Sequence, residues 1–245
     1  MSQADHNGFT IAGYAALVRT FLECGYAVRN FAEAEPGARH LILRHDIDMS
    51  LEAAIPVAEA EAALGVTAIY FVLVRSELYN PFAPDGAAAL ARIKSLGHEI
   101  GLHFDAALYT AATLDDAAAR ECTLLETFIE CPVRMISFHR PHATLLGREG
   151  LLAGRRHAYE PRFFRDMGYS SDSRGGWRHG HPLTHEAVAA GRALQLLTHP
   201  IWWQDPPASP TARLDSLLDA RLQALDRALA AHCDIHVPGR KGKVT

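Results

Sequence analysis

The chain has 245 residues, a formal net charge of −4, 49% apolar residues and 21% charged ones. That length suits one large domain or two small ones, with a substantial core, and a single domain over residues 1–245 is expected; the charge offers no basic footprint for nucleic acid. Cys24, Cys122, Cys131 and Cys233 form no C-x-x-C pair and indicate neither a zinc knuckle nor a disulfide framework; free thiols fit a reducing compartment. No apolar run reaches membrane-spanning length. Met1 to Gly8 is polar and acidic, without the apolar centre of a signal peptide. A cytoplasmic protein is expected.

In chain order, residues 11–24 carry helical apolar spacing and 40–46 read as a strand. Residues 51–64 are Ala/Glu-rich and helical, with Pro56 expected to kink or restart the helix. Thr67 to Val74 is β-branched and aromatic, as in a buried strand. A helix follows over 85–96, a strand from His98 to His103, a helix over 114–130 and a strand from Met135 to His139. Residues 145–193, rich in Gly, Arg and His, show only Tyr169-Ser170-Ser171 as a strand. Leu194 to Thr198 is the next strand. Residues 211–231 give the clearest helix, with Leu214, Leu217, Leu218, Leu222, Leu225 and Leu229 on one stripe. Short strands alternating with helices imply parallel βαβ units, in a barrel or a doubly wound sheet. In either, chemistry collects at the C-terminal strand ends.

Arg44-His45-Asp46-Ile47-Asp48 is the most informative segment. Alternation along a strand puts Arg44, Asp46 and Asp48 on one face and His45 and Ile47 on the other. Two neighbouring carboxylates are costly unless something positive neutralises them. A divalent metal would do so and leave one acid free as a general base. The alternative is a loop pair capping the helix that starts near Ser50. Three more strand ends carry polar residues: Gly97 to Asp105 with His103, Ser137 to His142 with His139, and Leu196 to Pro200 with His199. Any one of these histidines could be a hydrogen-bonded core residue. Parallel strands, however, bring all four ends to one rim. A mixed Asp/His shell there suits a divalent metal, zinc or a similar borderline ion.

The order of these segments resembles the polysaccharide deacetylase family, the NodB-like carbohydrate esterases, over roughly residues 40–200. The early Asp-Asp motif of that family is matched by Asp46-Ile47-Asp48, with one residue inserted. Gly97-His98-Glu99-Ile100-Gly101 precedes the metal histidine, matched by His103. Arg140-Pro141 matches the Arg-Pro segment, and Leu197-Thr198-His199 the Leu-x-His motif. The resemblance implies an irregular (β/α) barrel with a divalent metal at its C-terminal rim, and hydrolysis of an acetyl group on a sugar. Two departures stand out. The second metal histidine of the family falls at Ala107, which cannot coordinate, and histidines appear instead at 139 and 142. His139 is inferred to replace the missing ligand, or else the site is degenerate.

On this reading Asp48, His103 and His139 hold the metal and Asp46 is the base. Arg44 or Arg140 keeps Asp46 ionised, and His199 protonates the leaving amine. Tyr79, Asn80, Asp172 and Trp202 are candidate substrate contacts, each with ordinary turn chemistry or core packing as the alternative. Of the adjacent Trp202 and Trp203, only one can stack on a sugar. The expected function is removal of an acetyl or formyl group from an amino sugar in a glycan precursor, nucleotide-linked or lipid-linked. Peripheral contact with a lipid-linked substrate is compatible with it. The competing reading is a degenerate barrel that binds a sugar or a protein partner.

Overall fold

The computed structural model of the chain describes residues 8–239. Its elements run α1 (Ile11–Glu23), β1 (Ala27–Val28), β2 (His40–Ile47), α2 (Ala54–Ala63), β3 (Ile69–Leu73), α3 (Pro84–Ser95), β4 (Glu99–Asp105) and α4 (Leu114–Ile129). They continue through β5 (Met135–His139), β6 (Arg156–His157), α5 (Pro161–Phe164), β7 (Gly168–Ser171), α6 (Glu186–Ala189), β8 (Leu194–Thr198) and α7 (Pro210–His232). The long periodic segments lie within a few residues of where the sequence places them. Pro56 is the third residue of α2 and neither kinks nor breaks it, because a first-turn residue has no intrahelical partner for the N–H that proline lacks. Segment 145–193 holds β6, α5, β7, a 3-10 turn at Pro182–Thr184 and α6, each too brief to show a period.

The strands form one eight-stranded sheet in the order β6-β5-β4-β3-β2-β8-β7, with β1 beside the start of β2. Every pairing is parallel. The sheet curls into a half-barrel with flanking helices, the irregular (β/α) barrel expected. β3 and β8 are buried at every residue, as strands covered on both faces must be. Close packing inside the curl explains Gly101. A Cβ there would lie 2.5 Å from the Phe71 ring, so β4 approaches β3 only where the side chain is absent.

On the outer face of β2, a buried polar network ties α1 and α2 to the sheet. Glu61 accepts hydrogen bonds from the hydroxyls of Tyr14 at 2.5 Å and Tyr70 at 2.6 Å, and lies 2.8 Å from His45 Nε2. His45 Nδ1 is 2.7 Å from Thr198 Oγ1, and its ring stacks on Tyr70. His98 is also spent structurally: its Nδ1 accepts from the Ala68 amide at 3.1 Å and its Nε2 lies 2.9 Å from the Ala58 carbonyl.

The described residues cluster into two compact units that divide between Pro207 and Ala208. The first holds the sheet. The second holds α7, none of whose residues is buried. Leu214, Leu218, Leu222, Leu225 and Leu229 do share a stripe, but each is 42–60% exposed. Helical spacing therefore identified the helix without identifying what the stripe packs on. No helix among the described residues is long and apolar enough to cross a membrane. Residues 1–7, on which the expected compartment partly rests, lie outside the described residues.

Candidate active site

β2 delivers Arg44 and Asp46 to the inside of the curl. The Arg44 guanidinium is fully buried and grips Asp46 with two parallel bonds, Nε to Oδ1 at 3.0 Å and Nη2 to Oδ2 at 2.7 Å. Its remaining donors reach Gln195 Oε1 at 2.9 Å and the Tyr159 hydroxyl at 3.1 Å, and its plane lies over the Tyr159 ring. Burial raises the Asp46 pKa, but the Arg44 charge, with smaller help from His103, outweighs burial and holds the carboxyl below the usual range. Asp46 is therefore ionised, oriented and excluded from solvent.

Asp48, just beyond the end of β2, gathers the histidines. His103 Nε2 lies 3.0 Å and His139 Nδ1 3.2 Å from Asp48 Oδ1. His103 Nε2 is farther from Asp46, 3.8 Å from Oδ2. The potential ligand atoms of Asp48, His103 and His139 all lie within 4.8 Å of one another. One carboxylate and two imidazoles facing a common point is a donor set that fits a divalent borderline metal. Burial again raises the Asp48 pKa, and hydrogen bonds from His103 and His139 overcome it, leaving Asp48 well below the ordinary value.

His199 faces this cluster from the end of β8, its Nε2 3.8 Å from Asp48 Oδ2. Its Nδ1 is 2.6 Å from Asp172 Oδ1, and its backbone N–H donates to both oxygens of the same carboxylate at 3.1 Å. Trp203 Nε1 donates to Asp172 Oδ2 at 2.7 Å. Burial pulls the His199 pKa down, but Asp172 overcomes it and pushes it up to about 9. A depression of ≈ 140 Å³ opens beside Asp48 and His139, with Arg75, Glu77, Leu78 and Arg140 among its walls. A larger cavity of ≈ 750 Å³ lies between α1 and residues 176–183 and includes none of the cluster residues.

The four strand ends thus meet as alternation predicted, bringing Asp46, Asp48, His103, His139 and His199 together. The other candidates are placed differently. Arg140 adopts a left-handed φ of 49° and pairs with Asp105 at the rim; Arg44 is the residue that holds Asp46. Tyr79 is buried, its hydroxyl donating to the Ile47 carbonyl at 2.7 Å and accepting from the Leu73 amide at 2.8 Å. It pins the ends of β2 and β3, and its one proton is given to a backbone carbonyl. Asn80 is exposed and its Oδ1 accepts from the Phe82 amide at 3.0 Å, an ordinary turn contact ahead of α3. Asp172 is fully buried, with both carboxylate oxygens bonded to His199. Trp202 and Trp203 are both buried, at 6% and 2% exposure, so neither offers a free ring face to a sugar. Sequence reasoning passed over Gln195 and Tyr159, the other partners of Arg44. The one signal was a glutamine inside the apolar run Leu194-Gln195-Leu196-Leu197.

No family model and no curated protein matches the chain. Among solved structures, the chain is similar to IcaB from Ammonifex degensii, at 13% identity over 52% of this chain and 65% of that one, TM-score 0.39. It is similar to the chitin deacetylase from the fungal pathogen Colletotrichum lindemuthianum, at 14% identity over 80% of this chain and 85% of that one, TM-score 0.46. A third is BA3943, a CE4 family pseudoenzyme from Bacillus anthracis, at 14% identity over 76% of this chain and 61% of that one, TM-score 0.43. The chain spans less than two thirds of the IcaB and BA3943 structures.

Proposed function

We propose that the chain is a metal-dependent hydrolase that removes an acetyl or formyl group from an amino sugar in a glycan precursor. One observation carries this reading: an Asp48/His103/His139 donor set lies between an ionised carboxylate that stays out of it, Asp46, and a carboxylate-backed histidine, His199. The three donors would hold a divalent cation, zinc by their types, which when bound supplies Lewis acidity toward water and an acyl carbonyl. Asp46 takes the proton from the attacking water, with Arg44 fixing its orientation. His199, protonated and held by Asp172, gives a proton to the departing amine nitrogen, which is a poor leaving group without one. The small depression beside Asp48 suits an acyl group better than a whole polymer. The four free cysteines support a reducing compartment.

The second reading, a barrel that binds a sugar without turning it over, is favoured by Ala107, which stands where the resemblance expects a ligand. Metal analysis with an acetate-release assay on a nucleotide-linked N-acetyl amino sugar separates the two. About one zinc per chain, lost in His103→Ala together with acetate release, supports the hydrolase. A metal-free chain that still binds the sugar supports the second reading.

A further inference from the structure

Among the fully buried polar groups that the mechanism above leaves unused, the Ser137 hydroxyl is the one that touches both the metal-ligand and the base candidates. Ser137 sits on β5 in register with His103 on β4. Its Oγ is 2.5 Å from His103 Nδ1, and it donates to Asp46 Oδ1 at 3.1 Å. We infer that Ser137 is a positioning residue that joins the metal ligand His103 to the base Asp46 and fixes His103 with its Nε2 lone pair turned toward the metal position. The inference rests on the proposed hydrolase reading and adds to it a residue that no motif marks.

The argument is one of proton counting. A serine hydroxyl has one proton, and an ionised carboxylate only accepts. Arg44 donates to both Asp46 oxygens, and Ser137 donates to Asp46 Oδ1, so the Ser137 proton goes to Asp46. The short contact to His103 then needs the ring to donate from Nδ1. An imidazole that donates from Nδ1 keeps Nε2 for a metal, and Nε2 is the nitrogen 3.0 Å from Asp48 Oδ1. Orienting contacts of this kind are worth about tenfold to a hundredfold in metal affinity. The competing account makes Ser137 merely small, leaving space for the neighbouring rings. Alanine separates the two accounts, because it keeps the space and removes the hydroxyl.

The experiment is zinc affinity of the full chain, measured by competition with a chromophoric chelator, for wild type, Ser137→Ala and Ser137→Thr. Circular dichroism of the metal-free proteins establishes folding. The expected result is a loss of about tenfold to a hundredfold in Ser137→Ala, with Ser137→Thr close to wild type because its hydroxyl stands on the same Cβ. A folded Ser137→Ala with wild-type affinity overturns the inference, as does a Ser137→Thr as weak as Ser137→Ala. Should Ser137→Ala not fold, Ser137→Gly carries the same reading, since it removes the hydroxyl and adds no atom that could bind zinc; wild-type affinity there overturns the inference equally. A wild-type chain that binds no zinc fails at the earlier step and overturns the hydrolase reading with it.

Discussion

Replacing Glu61 by glutamine tests what holds the outer face of β2 to the helices. The carboxylate is fully buried, contacts His45 Nε2 at 2.8 Å, and accepts from the Tyr14 and Tyr70 hydroxyls. Glutamine keeps the shape and one acceptor oxygen. It removes the charge opposite His45 and turns an NH₂ toward groups that donated to the second oxygen. Breaking a buried pair by altering one partner costs about 3–5 kcal/mol; glutamine, retaining one oxygen, should sit near the lower end, about 3 kcal/mol. For a protein of this size each kcal/mol is worth about 2–4 °C, so the melting temperature should fall by about 6–12 °C. The gap should also depend on pH. Burial raises the Glu61 pKa, but the His45 charge and the hydrogen bonds of His45, Tyr14 and Tyr70 bring it below the usual carboxylate value. A group depressed in the folded state stabilises above its unfolded value, about 4.3 for glutamate, and loses that contribution as pH falls through the folded value. The wild type should therefore lose its advantage over Glu61→Gln in acid. Thermal unfolding of both proteins across pH reads this directly. A fall below about 2 °C at neutral pH, or a gap that widens in acid, would refute the reasoning.

Three further outcomes are expected. Asp46→Asn should abolish turnover yet keep bound zinc, whereas Asp48→Asn should lose both; equal metal loss by mass spectrometry would show that both acids are ligands. His139→Ala should weaken zinc by more than the roughly tenfold to hundredfold typical of an orienting contact; unchanged affinity in a chelator titration would remove His139 from the donor set. Asp172→Asn should shift the alkaline limb of the kcat/KM profile to lower pH. His199, held at about 9 by Asp172 against the pull of burial, donates its proton only below its pKa, so losing Asp172 brings that limb down; an unmoved limb would exclude His199 as the proton donor.

Much of this architecture was legible because two periods suffice to read it. Apolar runs of a strand's length alternating with helical spacing gave β2, β3, β4, β5 and β8 nearly to their ends, and parallel order then put Asp46, His103, His139 and His199 at one rim. What stayed illegible is what depends on strand order or on a single dihedral angle. Arg44 meets Gln195 because β2 pairs with β8, a neighbour 151 residues away that no local pattern names. Arg140 follows β5 but turns to Asp105 because its own backbone is left-handed. Tyr79, Asn80, Asp172 and Trp202 are polar or aromatic residues near strand ends, which is all a sequence can say of them. Three of them close bonds to backbone or to neighbouring side chains, and Trp202 packs inside.

The inserted residue between the two acids illustrates how a departure from a motif can still be read physically. Adjacent residues on a strand face opposite sides, so an unbroken Asp-Asp pair within β2 would send one carboxylate outward. Ile47 restores the alternation: it is itself 1% exposed on the apolar side, and it leaves Asp46 and Asp48 both able to face inward. Their roles then separate along the strand. Asp46 lies within β2, where Arg44, two residues before it on the same face, reaches it with two parallel bonds. Asp48 lies past the last strand residue, beyond the reach of Arg44 and beside the histidines of β4 and β5. The same His103 nitrogen is 3.0 Å from Asp48 and 3.8 Å from Asp46; on the proposed hydrolase reading, the arginine at 44 is what would keep the first acid a base and leave the second to be a ligand.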